Sequence, residues 1–177
     1  MRKRMMIGAL AFAILAFFTL NAGAADLKIG VVDFQKAVND SEPGQKFEAD
    51  MKAEGQQMEA EIEKGKEELK ALKEKLERES MVMSEKAKEE KQIEFNVKLS
   101  GLQKKQAQYR KDFLGKQRQG IGQFRIKVLQ IAKEIGEKEN YTLIVSKDAL
   151  LYMAPAADIT PKVVEALNQR HKTQGKQ

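Results

Sequence analysis

MKAEGQQMEAEIEKGKEELKALKEKL, residues 51–76, carries its apolar or small residues at Met51, Gly55, Met58, Ile62, Gly65, Leu69, Leu72 and Leu76. The steps between them run 4, 3, 4, 3, 4, 3, 4, an unbroken heptad seam that pairs one helix with another. Upstream, Ser41-Glu42-Pro43 starts this helix: a hydroxyl cap, then a proline in the first turn, where its missing N–H costs nothing. Downstream, Ser80-Met81-Val82-Met83-Ser84 breaks the pattern and Ser84 caps a second helix. Its seam is Phe95, Leu99, Leu102, Gln106, Tyr109 and Phe113. The phase then shifts to Ile121, Phe124, Val128, Ile131 and Ile135, and joining the two seams needs a stutter at which a coiled coil unwinds locally. Gly115, Gly120 and Gly122 fall at this place, which reads as a hinge or as close packing of backbones. Ser41–Asn140 is therefore a long antiparallel helical hairpin with its tip at Ser80–Ser84.

Composition agrees. Charged residues make up 33% of the chain and aromatics 6%, with neither Cys nor Trp, so a thin helix pair has little core of its own and oligomerisation is expected. The expected fold class is α+β, mostly α: a coiled-coil tentacle on a small β body completed by oligomerisation.

Residues 1–24 read as an export signal: Arg2-Lys3-Arg4, an apolar run from Ile7 to Leu20, and Ala22-Gly23-Ala24 for cleavage near Ala24. The apolar run is shorter than the ~18–20 residues of a spanning helix, and lipidation would need a cysteine. Periplasmic localisation follows. Residues 25–40 hold a buried strand, Lys28 to Val32, and a short helix capped by Asp33. After the hairpin, residues 141–172 form a second body segment. Tyr141–Val145 and Ala149–Met153 read as two strands of an antiparallel hairpin, followed by a last helix with Thr160 as its cap and Pro161 in its first turn. Residues 173–177 are a polar tail, and fraying is expected from His171. The apolar faces of these strands (Ile29, Val31, Val32, Leu143, Ile144, Val145, Leu150, Leu151 and Tyr152) are the expected oligomerisation surface, since so few strands do not stand alone.

The formal charge is +6, and removal of Arg2, Lys3 and Arg4 with the signal leaves 29 basic against 26 acidic residues, about +3. Its distribution is uneven. Between Asn96 and Lys127 stand nine basic residues and one acid, Asp112. Lys98, Lys104, Lys105, Arg110, Lys111, Lys116 and Arg118 are candidates for binding an acidic client or an anionic partner such as lipid or lipopolysaccharide; nucleic acid is not expected in an exported protein. Met81, Val82 and Met83 at the tip are the apolar candidates, because a tip has no seam to bury them. No catalytic, metal or cofactor site is expected. The chain has a single His, His171, no Cys, and at Gly120-Ile121-Gly122 neither the Lys-Ser/Thr nor the strand of a phosphate loop.

Lys28-Ile29-Gly30-Val31-Val32-Asp33, the stretch Tyr141–Met153 and Asp158-Ile159-Thr160 make the sequence resemble the Skp/OmpH family of periplasmic chaperones. The resemblance implies a homotrimer whose strands build a small β-barrel, with three helical arms around a cavity. It further implies an ATP-independent holdase for unfolded outer-membrane β-barrel proteins that also meets anionic lipid. A different reading of the same hairpin is a periplasmic coiled-coil adaptor or spacer that docks to an envelope complex through its tip.

Overall fold

The computed structural model describes residues 27–174; the export signal expected over residues 1–24 lies outside the described residues. The chain runs β1 (Ile29–Val32), α1 (Phe34–Asn39), α2 (Glu42–Glu79), α3 (Glu85–Glu139), β2 (Leu143–Ser146) and α4 (Thr160–Gln174), with single 3-10 turns at Lys147–Ala149 and Pro155–Ala157.

Each helix begins where a short polar side chain takes an otherwise unpaired N–H. The Asp33 carboxylate accepts from the Lys36 N–H at 2.9 Å. Ser41 Oγ accepts from Gly44 at 3.3 Å, and Ser84 Oγ from Ala87 at 3.3 Å. Asn140 stops α3 in the left-handed conformation, φ 57°, which its short amide side chain tolerates. At 38 and 55 residues, α2 and α3 are about 57 and 82 Å long. The excess length of α3 is its root.

The α2–α3 seam is built as the heptad predicts. Ile62 and Leu69 are buried, and the other apolar seam residues are half-buried. Its glycines are sockets. A Cβ on Gly55 would stand 3.4 Å from Phe113, and one on Gly65 2.6 Å from Leu102. Gly120 faces the Phe47 ring, so close packing explains that position of the glycine cluster. The ring of Phe47 stands edge-on to Phe124, centroids 5.9 Å apart. Gly115 and Gly122 meet nothing within 4 Å, and α3 passes through all three without a break.

Beyond Gly120 the root of α3 enters the body. Val128 and Ile131 join Val32, Ala37, Ile159, Val163 and Leu167 in one buried cluster, with Phe34, Ile135, Tyr141 and Ile144 packed on it. The stutter is where α3 turns from facing α2 alone to facing the strands and α4.

The body differs from expectation in its strands. β1 and β2 pair in parallel, Ile29 opposite Leu143 through Val32 opposite Ser146, so the whole helical hairpin is the crossover between them. Ala149–Met153 is not a strand, and there is no antiparallel β-hairpin among the described residues. A tight hairpin needs residues at positive φ. Ser146-Lys147-Asp148 supplies none, and the chain instead takes a 3-10 turn. Leu150 is extended, φ −118° and ψ 139°, Leu151 bends, and the segment pairs with no strand among the described residues. Thr160 also departs from its expected role. Asp158 Oδ1 accepts its N–H at 2.9 Å, and the buried Thr160 hydroxyl instead accepts the Asp33 N–H at 2.9 Å, tying the end of β1 to the start of α4. Helix α4 reaches Gln174 rather than fraying at His171, fastened by Arg170–Glu134 and Lys172–Glu42 ion pairs.

Candidate functional site

The arm sorts its cations into two sets. Lys98 stands 3.9 Å from Glu94, Lys105 2.8 Å from Glu61, and Lys116 pairs with Glu54. Lys105 and Lys116 thus reach across to α2 and close the hairpin, whereas Lys98 pairs within α3. Lys104, Arg110, Lys111 and Arg118 are exposed, with no carboxylate in salt-bridge range among the described residues. Lys104 and Lys111 follow the seam residues Leu102 and Tyr109 by two positions, a rotation of about 200° on a helix. They therefore stand on the back of α3.

The same back carries apolar residues that the sequence reading did not single out. Ile93 is 55% exposed, Val97 65% and Leu114 41%. Lower down, Ile126 and Leu129 are likewise exposed. Every exposed large apolar residue on the described arm lies on α3 or the tip, and α2 contributes none. The clue was present. Ile93, Val97, Ser100, Lys104, Ala107, Lys111 and Leu114 step by 4 and 3, a second heptad line hidden by the cations within it.

At the tip, Met81 is 92% and Val82 86% exposed, while Met83 is half-buried. The Val82 and Met83 N–H groups both bond to the Glu79 carbonyl, so the backbone closes the turn and leaves Met81 and Val82 in solvent.

The body surface is also split. Val31 and Val32 are buried within the chain, so they belong to its own core rather than to a free face. Ile144 and Val145 are half-buried. Ile29, Leu143, Leu150, Leu151 and Tyr152 are exposed, Leu151 fully. Beside them lies an open hollow of about 250 Å³ lined by Phe34, Val128, Leu129 and Val145, with Arg125 and Asp148 at its rim.

Two polar clamps hold arm and body. Asp33 accepts from Lys147 Nζ at 2.8 Å as well as from the Lys36 N–H, and these bonds hold its carboxyl below the usual aspartate value. Midway along the arm, Glu61 takes hydrogen bonds from Lys105, Tyr109 and Gln57, which lower its pKa from 4.5 to about 2. Because the folded value lies below the unfolded one, this stabilisation is complete above about pH 4.5 and fades as pH falls toward 2. Glu61→Gln is therefore expected to melt below wild type at neutral pH, and the two should converge as pH approaches 2. A gap between the melting temperatures that stays constant across this range would show that the carboxylate charge is not the source.

Among the described residues no helix is long and apolar enough to cross a membrane. The model of the OmpH-like outer membrane protein family matches residues 28–167, from the start of β1 into α4. The chain belongs to the OmpH-like family of outer membrane proteins. Its fold is shared with a crystal structure from Caulobacter crescentus CB15 described as an OmpH-like outer membrane chaperone, at TM-score 0.77 and 21% identity over 87% of this chain and 91% of that one. No curated protein matches the chain. Within an OmpH-like fold, the unpartnered surfaces are the back of α3, the tip and the outer edge of the small sheet.

Proposed function

We propose that the mature chain is a periplasmic, ATP-independent holdase that keeps unfolded outer-membrane β-barrel proteins from aggregating, working as a homotrimer with its arms around a cavity. The observation that carries this reading is the unpartnered apolar and cationic surface along α3 and the tip, on a chain of the OmpH-like family. Many weak contacts of this kind suit a client with no fixed shape. Met81 is an adaptable apolar contact, since an unbranched thioether repacks against many partners. The exposed Leu143, Leu151 and Tyr152, beside the open edge of β2, support assembly through the body. Lys104, Arg110, Lys111 and Arg118 give the arm its attraction for acidic clients, anionic lipid or lipopolysaccharide.

The test is light scattering as an unfolded outer-membrane β-barrel protein is diluted from urea. One assembled oligomer per client is expected to suppress most of the aggregation without nucleotide. Replacing Met81 and Val82 together with serine should raise the amount needed several-fold. No suppression by the wild-type protein at equal stoichiometry would sink the reading. The exposed tip also fits an adaptor that docks to an envelope complex. Pull-down from envelope extracts separates the two: one stoichiometric partner favours the adaptor, and a spread of β-barrel proteins favours the holdase.

A further inference from the structure

The back of α3 has the spacing of a coiled-coil seam, but no helix among the described residues lies on it. Its cations recur at a strict interval of seven residues, Lys104, Lys111 and Arg118. By helical rise they stand about 10 Å apart along the arm. All three are exposed. Ala107 and Leu114 lie between them, and Val97 extends the line toward the tip. The only acids from Ile93 to Leu129 are Glu94 and Asp112. Each sits one residue, a turn of about 100°, off this line. Both are already engaged, Glu94 with Lys91 at 2.8 Å and Asp112 with Gln108 at 2.8 Å. The face is thus uniformly cationic at one heptad position.

The glycines add to this. Gly55, Gly65 and Gly120 on the seam each make room for a leucine or an aromatic ring. Gly101, Gly115 and Gly122 of α3 have nothing within 4 Å. A glycine inside a helix costs about 1 kcal/mol relative to alanine. Gly101 borders the groove between α2 and α3. At Gly115 no contact among the described residues accounts for the glycine, and close approach of another backbone on the outer side would.

We propose that the back of α3 is a docking face for a helix of an acidic partner protein, one with Glu or Asp at every seventh position and small apolar residues between. A helix alongside α3 repeats every seven residues at the same rise, so each acid meets a cation in register. Side chains on one face of an extended strand recur at about 6.7 Å and fall out of step with the row. A lipid surface presents a plane of charge and has no use for one line at heptad spacing. Charge complementarity therefore favours the helix, with apolar anchors between the ion pairs in the manner of helix-in-groove recognition. The proposal rests on α3 alone and stands whether or not the chain holds unfolded clients.

The test uses the purified mature protein and a fluorescent peptide of about four heptads, with Glu at every seventh position and Ala and Leu at the seam positions. A control peptide has the same composition with its Glu residues re-spaced irregularly. By anisotropy at low salt, the heptad peptide is expected to bind at least tenfold more tightly than the control. The combined variant Lys104→Gln, Lys111→Gln and Arg118→Gln should lose that preference. These three side chains are exposed and outside the described ion pairs, so the variant's circular dichroism melt should match wild type. Equal binding of the two peptides would overturn the proposal, because only charge would then be read. So would undiminished binding of the heptad peptide to the triple variant. If phosphatidylglycerol vesicles bind wild type but not the variant, while neither peptide binds, the row is a lipid face and the helix proposal fails.

Discussion

Changing Leu151 and Tyr152 together to aspartate is expected to turn the proposed oligomer into single chains. Leu151 is fully exposed and Tyr152 84% exposed within one chain. They follow the extended Leu150 on a segment that pairs with no strand among the described residues, and the outer edge of β2 is equally open. Burying a large apolar side chain at an interface is worth roughly 1.5–3 kcal/mol. Losing two per contact is thus about 3–6 kcal/mol, before counting the cost of burying a carboxylate. Each 1.4 kcal/mol is tenfold in affinity, so dissociation constants should rise by at least about a hundredfold. The helical signal of each chain should change little, because neither side chain belongs to the chain's own buried cluster. Native mass spectrometry at micromolar concentration reads the result directly. A variant that keeps the wild-type mass would remove this segment from the interface, and a wild type that is already a single chain would remove the interface itself.

Local, periodic features were readable from the sequence, and long-range pairing was not. Ile62, Leu69 and their neighbours announce the seam because a heptad repeats many times. Ser41, Ser84 and Asp33 announce helix starts because capping involves residues only three apart. The partner of Tyr141–Val145 had no such signal. The nearest apolar run in the sequence is Ala149–Met153, whereas the true partner is β1, more than a hundred residues away. Tertiary packing decided it: α3 and α4 hold Ile144 and Val32 on the same core. The back of α3 was missed for another reason. Its apolar residues alternate with the cations Lys104 and Lys111, so only the rotation relative to the seam exposes the line. The same geometry divides the expected basic site. Lys105 and Lys116 tie α3 to α2, Lys98 pairs within α3, and the cations that remain for a partner are those without a carboxylate beside them among the described residues.

The glycines of α3 give a prediction in which helix propensity and packing oppose each other. Propensity alone says that any of them should gain about 1 kcal/mol on becoming alanine. At Gly115 nothing lies within 4 Å, so Gly115→Ala should stabilise the protein by up to about that amount. At Gly120 the new side chain would enter the Phe47 ring, which stands edge-on against Phe124. Overpacking of this kind costs about 1–3 kcal/mol and sometimes more. Gly120→Leu should therefore destabilise despite leucine's better propensity, prising α2 from α3 where the arm joins the body. Urea unfolding followed by circular dichroism should show midpoints displaced in opposite directions, Gly115→Ala upward and Gly120→Leu downward. Midpoints moving the same way would mean that propensity, or flexibility at the stutter, outweighs the socket. Opposite movement has a further consequence. The close approach of α2 and α3 at Gly120 would then be selected for packing, while Gly115 gives up stability for something outside the chain. In that case Gly115→Ala should weaken capture of the acidic heptad peptide even as it raises the unfolding midpoint.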